Sequence, residues 1–104
     1  MVQHIKISLF SLVLLCSFLD AASNGETLFK QCAGCHGADG RNKAFGKSGI
    51  IAGQDAEVLL ESLKYYKETE FKTHGTSLVM SKQVKNMNLQ DLQDIATYVS
   101  KLPK

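Results

Sequence analysis

Two thiols separated by two residues and followed at once by an imidazole stand at Cys32-Ala33-Gly34-Cys35-His36. This order is the pattern for covalent attachment of a c-type haem. Both sulfurs must reach vinyl groups on one side of a porphyrin, and the next side chain must then lie under the iron. Cys32 and Cys35 are therefore expected to become thioethers and His36 the proximal ligand. The same residues read otherwise as a redox disulfide, as half of a zinc site, or as a helix that merely contains cysteines. A thioredoxin-like motif belongs beside a βαβ pattern, and the chain has no strand pattern to build one. Structural zinc takes four ligands, usually two close pairs, and after these three only His74 remains in the body of the chain.

An iron held by one histidine has a second axial position. A thioether there makes a six-coordinate centre suited to electron transfer, and it raises the potential relative to two nitrogen ligands. Keeping the same two ligands in both oxidation states changes geometry little, and no substrate site is required. Beyond Met1, the chain offers Met80 and Met87. Met87 directly precedes Asn88, a good helix cap, and Leu92 then falls at the fourth helical position, the spacing of a hydrophobic staple. That packing role accounts for Met87. Met80 is expected in a short segment between loops, far enough along the chain to wrap around the opposite haem face, and is assigned as the sixth ligand. His74 reads as a solvated loop residue.

The chain has 104 residues, enough for one small domain. Residues 1–21 are expected to be a secretory signal peptide. Lys6 supplies positive charge, an apolar run follows from Ile7 to Leu19, and Ala21-Ala22-Ser23 offers small residues for cleavage. Cleavage is placed after Ala21, with Ser23 second. The run is shorter than the roughly 20 residues a membrane span takes, and Leu15 before Cys16 is too bulky for a lipidation signal. Export agrees with the cysteine motif, because c-type haem is attached beyond the membrane. Of three cysteines, Cys16 leaves with the leader. One base and one acid leave as well, so the net charge stays at +2, and two haem propionates bring it near neutral. That is no polycation for nucleic acid. Residues 22–104 are short for burying a self-sufficient core and call for a staple, which a covalently held porphyrin provides. The chain without haem is expected to be largely unfolded.

Helical patterns dominate this region. Asn24 or Ser23 caps a helix from Gly25 whose apolar face, with Leu28, Phe29 and Cys32, runs into the cysteine motif through Cys35. Gly37 to Gly40 reads as a turn, and Arg41 to Gly49 as loop, with Ile50, Ile51 and Ala52 dipping inward. Asp55 opens a helix whose buried stripe is Ala56, Leu59, Leu60, Leu63 and Tyr66, with Tyr65 outward. Glu68 to Gly75 reads as loop with Phe71 tucked in. Thr76 or Ser77 caps a short helical turn containing Leu78, Val79, Met80 and Val84. Asn88 and Asp91 open a last helix striped by Leu89, Leu92, Ile95, Ala96, Val99 and Leu102, and Pro103 ends it.

These residues carry a resemblance. Cys32-Ala-Gly-Cys-His-Gly-Ala-Asp-Gly40 is similar to the attachment sequence of class I c-type cytochromes, specifically the small bacterial cytochrome c553 type, and Ser77-Leu-Val-Met80 resembles their methionine segment. The likeness covers Gly25 to Leu102. It implies an all-α cytochrome c fold, four or so short helices wrapped around one covalently attached haem c, with Gly25 and Phe29 crossing the terminal helix near Tyr98. It further implies a monomeric periplasmic carrier passing single electrons between respiratory complexes or dehydrogenases and a terminal oxidase, meeting membranes only through partners. Such a protein is not an enzyme. The alternatives are a haem-based small-molecule sensor and a haem-bearing subunit of a larger redox enzyme. Many relatives place a proline before the loop glycine, where its carbonyl accepts a hydrogen bond from the proximal imidazole. Ile50 occupies that region here, and its carbonyl is the expected acceptor. Lys43, Lys47, Lys82 and Lys85 fall in segments expected near the haem edge, where they read either as a guide for acidic partners or as ordinary solvated surface.

Overall fold

The structure, a computed structural model, describes residues 24–69 and 76–104. The expected leader, Phe71 and His74 lie outside the described residues. Helix is the regular structure throughout, with no strand among the described residues, so the expected all-α class is correct. The first helix, α1, covers residues 24–29 and is followed by a turn. Next come α2 (Ala33–His36), a 3-10 turn at Ala44–Gly46, α3 (Ala56–Glu68), α4 (Thr76–Val84) and α5 (Leu89–Ser100).

The two best-formed helix starts are those with side-chain caps. Asp55 accepts from the amides of Glu57 and Val58 at the head of α3. At α5 the box is reciprocal, with Asn88 accepting from the Asp91 amide at 2.8 Å and Asp91 accepting from the Asn88 amide at 3.1 Å. Leu92, Ile95, Ala96 and Val99 then form the buried face of α5. They pack with Phe29, Leu59, Val84 and Met87 into one core. Burial of side chains of this size stabilises by about 1.5–3 kcal/mol each, so this face is the main apolar anchor of the chain. Leu89, assigned to the stripe from its spacing, is 53% exposed. It sits at the first helical position, ahead of the turn that meets the core. Met87 and Leu92 both lie in the core, as the staple spacing requires.

Three expectations need correction. Of the two expected caps of α1, Ser23 lies outside the described residues, while Asn24 lies within the helix and its side-chain amide donates to the Asp94 carboxylate at 2.6 Å. The helix leading into the cysteines is interrupted at residues 30–32, so Cys35 is exposed rather than a continuation of the apolar face. The stretch holding Leu78, Val79, Met80 and Val84 is helical as expected but longer than a single turn, a nine-residue helix, α4, that already begins at Thr76. In the loop before α3, Ala52 is buried as expected while Ile50 is exposed.

Packing of α1 across α5 rests on Gly25. A Cβ there would stand closer to the backbone carbonyl of Asp94 than real Cβ atoms come, and against the Cβ of Tyr98. Phe29 meets Tyr98 with ring centroids 5.5 Å apart. Since the obstacle is backbone, it has nowhere to retreat. Gly25→Val should lower the stability of the purified protein by about 1–3 kcal/mol, the usual cost of overpacking, read as a shift in the denaturant midpoint. Asn88→Ala, which removes one half of the capping box, should cost about 1 kcal/mol in the same assay.

Candidate functional site

Between α2, α3, α4 and the 44–54 loop lie two adjoining cavities of about 260 and about 250 Å³. Cys32, His36, Ser48, Tyr66 and Met80 line both. The first also reaches Cys35, Phe45 and Lys47 on its open side. The second runs inward to Leu59, Ile95, Ala96 and Val99, so one wall of it is the protein core itself.

The elements bring the candidate residues to this place by different routes. After α1 has crossed α5, the turn at 30–32 swings the chain into α2, where the Cys35 and His36 amides both donate to the Cys32 carbonyl, at 3.2 and 3.0 Å. Gly37, with φ at 83°, then takes the chain away. Cys32 is half-buried and Cys35 exposed. Met80 arrives on α4. Two side chains from other segments grip the end of that helix: Gln31 donates to the Gln83 carbonyl at 3.1 Å, and Lys67 to the Lys85 carbonyl at 2.8 Å. Met87 is buried in the core and lines neither cavity.

Burial sets the protonation of these groups. The Cys32 thiol is pushed up to about 11, first by desolvation and then by the neighbouring Cys35. Burial thus disfavours the thiolate that an attacking thiol must become. No cluster of three or more His, Cys, Asp or Glu suited to a metal ion exists among the described residues. Burial also holds His36 below its ordinary 6.5, favouring the neutral imidazole that a metal requires. His36 is 6% exposed, and its Nδ1 is buried with no hydrogen-bond partner.

That nitrogen departs from expectation. The Ile50 carbonyl, assigned as its acceptor, receives the Gln54 amide at 2.7 Å. Gln54 lines the inner cavity with His36. Sequence reasoning missed Gln54 and Ser48, which are polar loop residues in no recognisable pattern. It also passed over Phe45, an aromatic alone in a polar loop and followed by glycine, which was the available signal.

A half-apolar slot with two thiols at one side, a neutral imidazole and a thioether fits a covalently held haem. Comparison with known proteins agrees, since a family model described as cytochrome c matches residues 22–103. The chain belongs to the cytochrome c family. It is 37% identical over 81 residues to cytochrome c-553 of Nitratidesulfovibrio vulgaris (strain DSM 19637 / Miyazaki F), covering 78% of each chain. It is 32% identical over 81 residues to cytochrome c-553 of Helicobacter pylori (strain J99 / ATCC 700824), covering 78% of this chain and 80% of the relative. A third relative, 34% identical over 82 residues, is the cytochrome subunit of sulfide dehydrogenase of Chlorobaculum tepidum (strain ATCC 49652 / DSM 12025 / NBRC 103806 / TLS), with 79% of this chain and 69% of that one covered. The molecule is thus a small class I cytochrome of the c553 type that binds haem c covalently and transfers electrons.

Protonation of His36 gives a pH dependence whose sign follows from its burial. Because the folded value lies below the unfolded one, the contribution of the neutral imidazole is complete above about pH 6.5. It is lost as the pH falls through the lower folded value. Unfolding midpoints of the intact protein should therefore decline on acidification below about pH 6, with the slope removed at alkaline pH. A midpoint that stayed flat from pH 7 to pH 4 would contradict this.

Proposed function

We propose that Cys32 and Cys35 hold the haem as thioethers, that His36 and Met80 are the axial ligands, and that the protein is an exported single-electron carrier of the periplasm. The observation that carries this reading is the convergence of Cys32, just before α2, His36, at its end, and Met80, on α4, on both adjoining cavities. When bound, the haem supplies an iron that takes up and gives back one electron.

The polypeptide's part is to hold still and to keep water out. His36 is fixed at the end of α2, where its backbone amide and carbonyl are both engaged, the carbonyl by the Asn42 amide at 2.9 Å. Met80 is fixed by α4, whose last carbonyls are held by Gln31 and Lys67. Because both ligands sit on braced backbone, little movement is needed when the iron changes charge, which keeps reorganisation small. Leu59, Ile95, Ala96 and Val99 close the inner side with apolar surface. Exposed Cys35 and Lys47 mark the outer side, where a redox partner would meet the chain. Lys43, Lys82 and Lys85 are exposed as well, as guidance of an acidic partner requires. No described helix is long and apolar enough to cross a membrane. In this reading, residues 1–21 are the leader and are removed on export.

One relative favours a second reading, since it is the cytochrome subunit of sulfide dehydrogenase. On that model this chain would be a haem-bearing subunit delivering electrons within a larger enzyme. A monomer in size-exclusion chromatography of the exported protein, reduced rapidly by small reagents, is expected of the free carrier.

The axial assignment is tested by two methionine variants. Met80→Ala should abolish the long-wavelength absorbance expected of sulfur bound to ferric iron and lower the reduction potential. Met87→Ala should keep that absorbance while losing about 2–5 kcal/mol of stability, as buried methionines do. Survival of the absorbance in Met80→Ala would refute the assignment. Intact mass of the exported protein reports haem addition and the cleavage point together.

A further inference from the structure

Phe45 is the one non-glycine residue among the described residues with a positive φ, at 55°. Left-handed backbone is costly for a side chain with a Cβ, and strain of this kind persists only where its surroundings over-determine it. They do so here. The Ala44 amide donates to Ser48 Oγ at 2.8 Å, and Ser48 Oγ in turn donates to the Gly49 carbonyl at 3.1 Å. The Gly46 amide donates to the Lys43 carbonyl at 2.8 Å, and the Lys47 and Ser48 amides both reach the Ala44 carbonyl, at 3.0 and 3.2 Å. Gly46 continues the left-handed path with φ at 67°. Asn42 ties the start of the loop to the His36 carbonyl.

This clamp holds an aromatic side chain 60% exposed at the open side of the cavity that contains Cys32, Cys35 and His36. An exposed phenyl group on a strained backbone serves neither the core nor solubility. We propose that Phe45 is a cover for the solvent-facing side of the haem site, held there by the Ser48 hydrogen bonds at the expense of backbone strain. The inference rests on the reading that haem occupies this cavity and adds to it a residue that sets the potential. Exposure of an iron centre to water favours the more highly charged ferric state, so excluding water raises the potential.

Ring and backbone make separable contributions, so the test uses three variants of the full exported protein: Phe45→Ala, Phe45→Gly and Phe45→Leu. Loss of the ring should lower the reduction potential in the alanine and glycine variants by the same shift. Leucine, which keeps an apolar cover, should stay near the original value. Glycine tolerates left-handed backbone and alanine does not, so Phe45→Gly should melt at a higher temperature than Phe45→Ala although both lack the ring. Unchanged potentials in the alanine and glycine variants would overturn the cover. A glycine variant melting no higher than the alanine one would overturn the strained clamp. Each potential is compared with that of the unsubstituted protein whatever its sixth ligand is, so this result is independent of the Met80 assignment.

Discussion

The close crossing of α1 over α5 is the contact on which the site depends. Only six residues lie between Gly25 and Cys32, so the angle at which α1 leaves α5 determines where the thiols and the imidazole stand. Gly25 permits that approach by having no side chain to meet the Asp94 carbonyl. Polar and apolar contacts then fix the rotation about it, with Asn24 held by Asp94 on one side and Phe29 stacked on Tyr98 on the other. Asp94 is itself steadied by the Gln90 amide at 2.8 Å. A crossing defined by backbone contact is hard to deform, which suits a motif whose two sulfurs and imidazole must serve one rigid macrocycle.

The opposite side is held by a different principle. α4 shows no strong amphipathic face of its own, and it packs mainly against α3. Val84 and Met87 anchor its trailing end in the core. Gln31 and Lys67 satisfy carbonyls at and just beyond that end, groups that a helix terminus leaves without intrahelical partners. Gln31 sits next to Cys32 in sequence, so the segment presenting the thiols also braces the segment presenting Met80. The two halves of the site are therefore coupled through side chains, although they come from distant stretches of the chain.

Much of this was legible in the residues. The cysteine motif, the α3 and α5 caps and the α5 core positions follow from local patterns, in which spacing and residue type carry the physics by themselves, whereas the Gly25 crossing came only from the family resemblance. Met80 and Met87 were separable because Met87 stands at a staple position, and it is indeed buried with Leu92. Other features were out of reach because they depend on what the fold brings together. Spacing gave no sign that α1 would break at residues 30–32 and leave Cys35 exposed, or that Asn24 would bond across to Asp94 instead of capping. The length of α4 was missed because its sequence, with weak helical periodicity and Ser and Gln interleaved, reads as a short helical turn until α3 and the core give it something to pack on. Gln54 was missed because it acts through a carbonyl, which every residue possesses.

The loop lacking a proline shows how an invariant task is met by other means. A proline before Gly53 would stiffen the 50–53 segment through its fixed φ. Here the same segment is tied down by hydrogen bonds on every side: the Ile51 and Ala52 amides reach the Gly40 carbonyl at 3.2 and 3.1 Å, the Gly53 amide reaches Val99 at 3.0 Å, and Gln54 holds Ile50. Gly53, at φ 73°, lies against the Leu102 carbonyl and the Lys104 side chain, so the end of the chain closes over the loop. Rigidity in this segment thus comes from a hydrogen-bond network anchored on the Gly40 carbonyl and α5. The Ile50 carbonyl is engaged by Gln54, and His36 Nδ1 is buried with no hydrogen-bond partner among the described residues, so the loop is steadied through Gln54 and not through the imidazole.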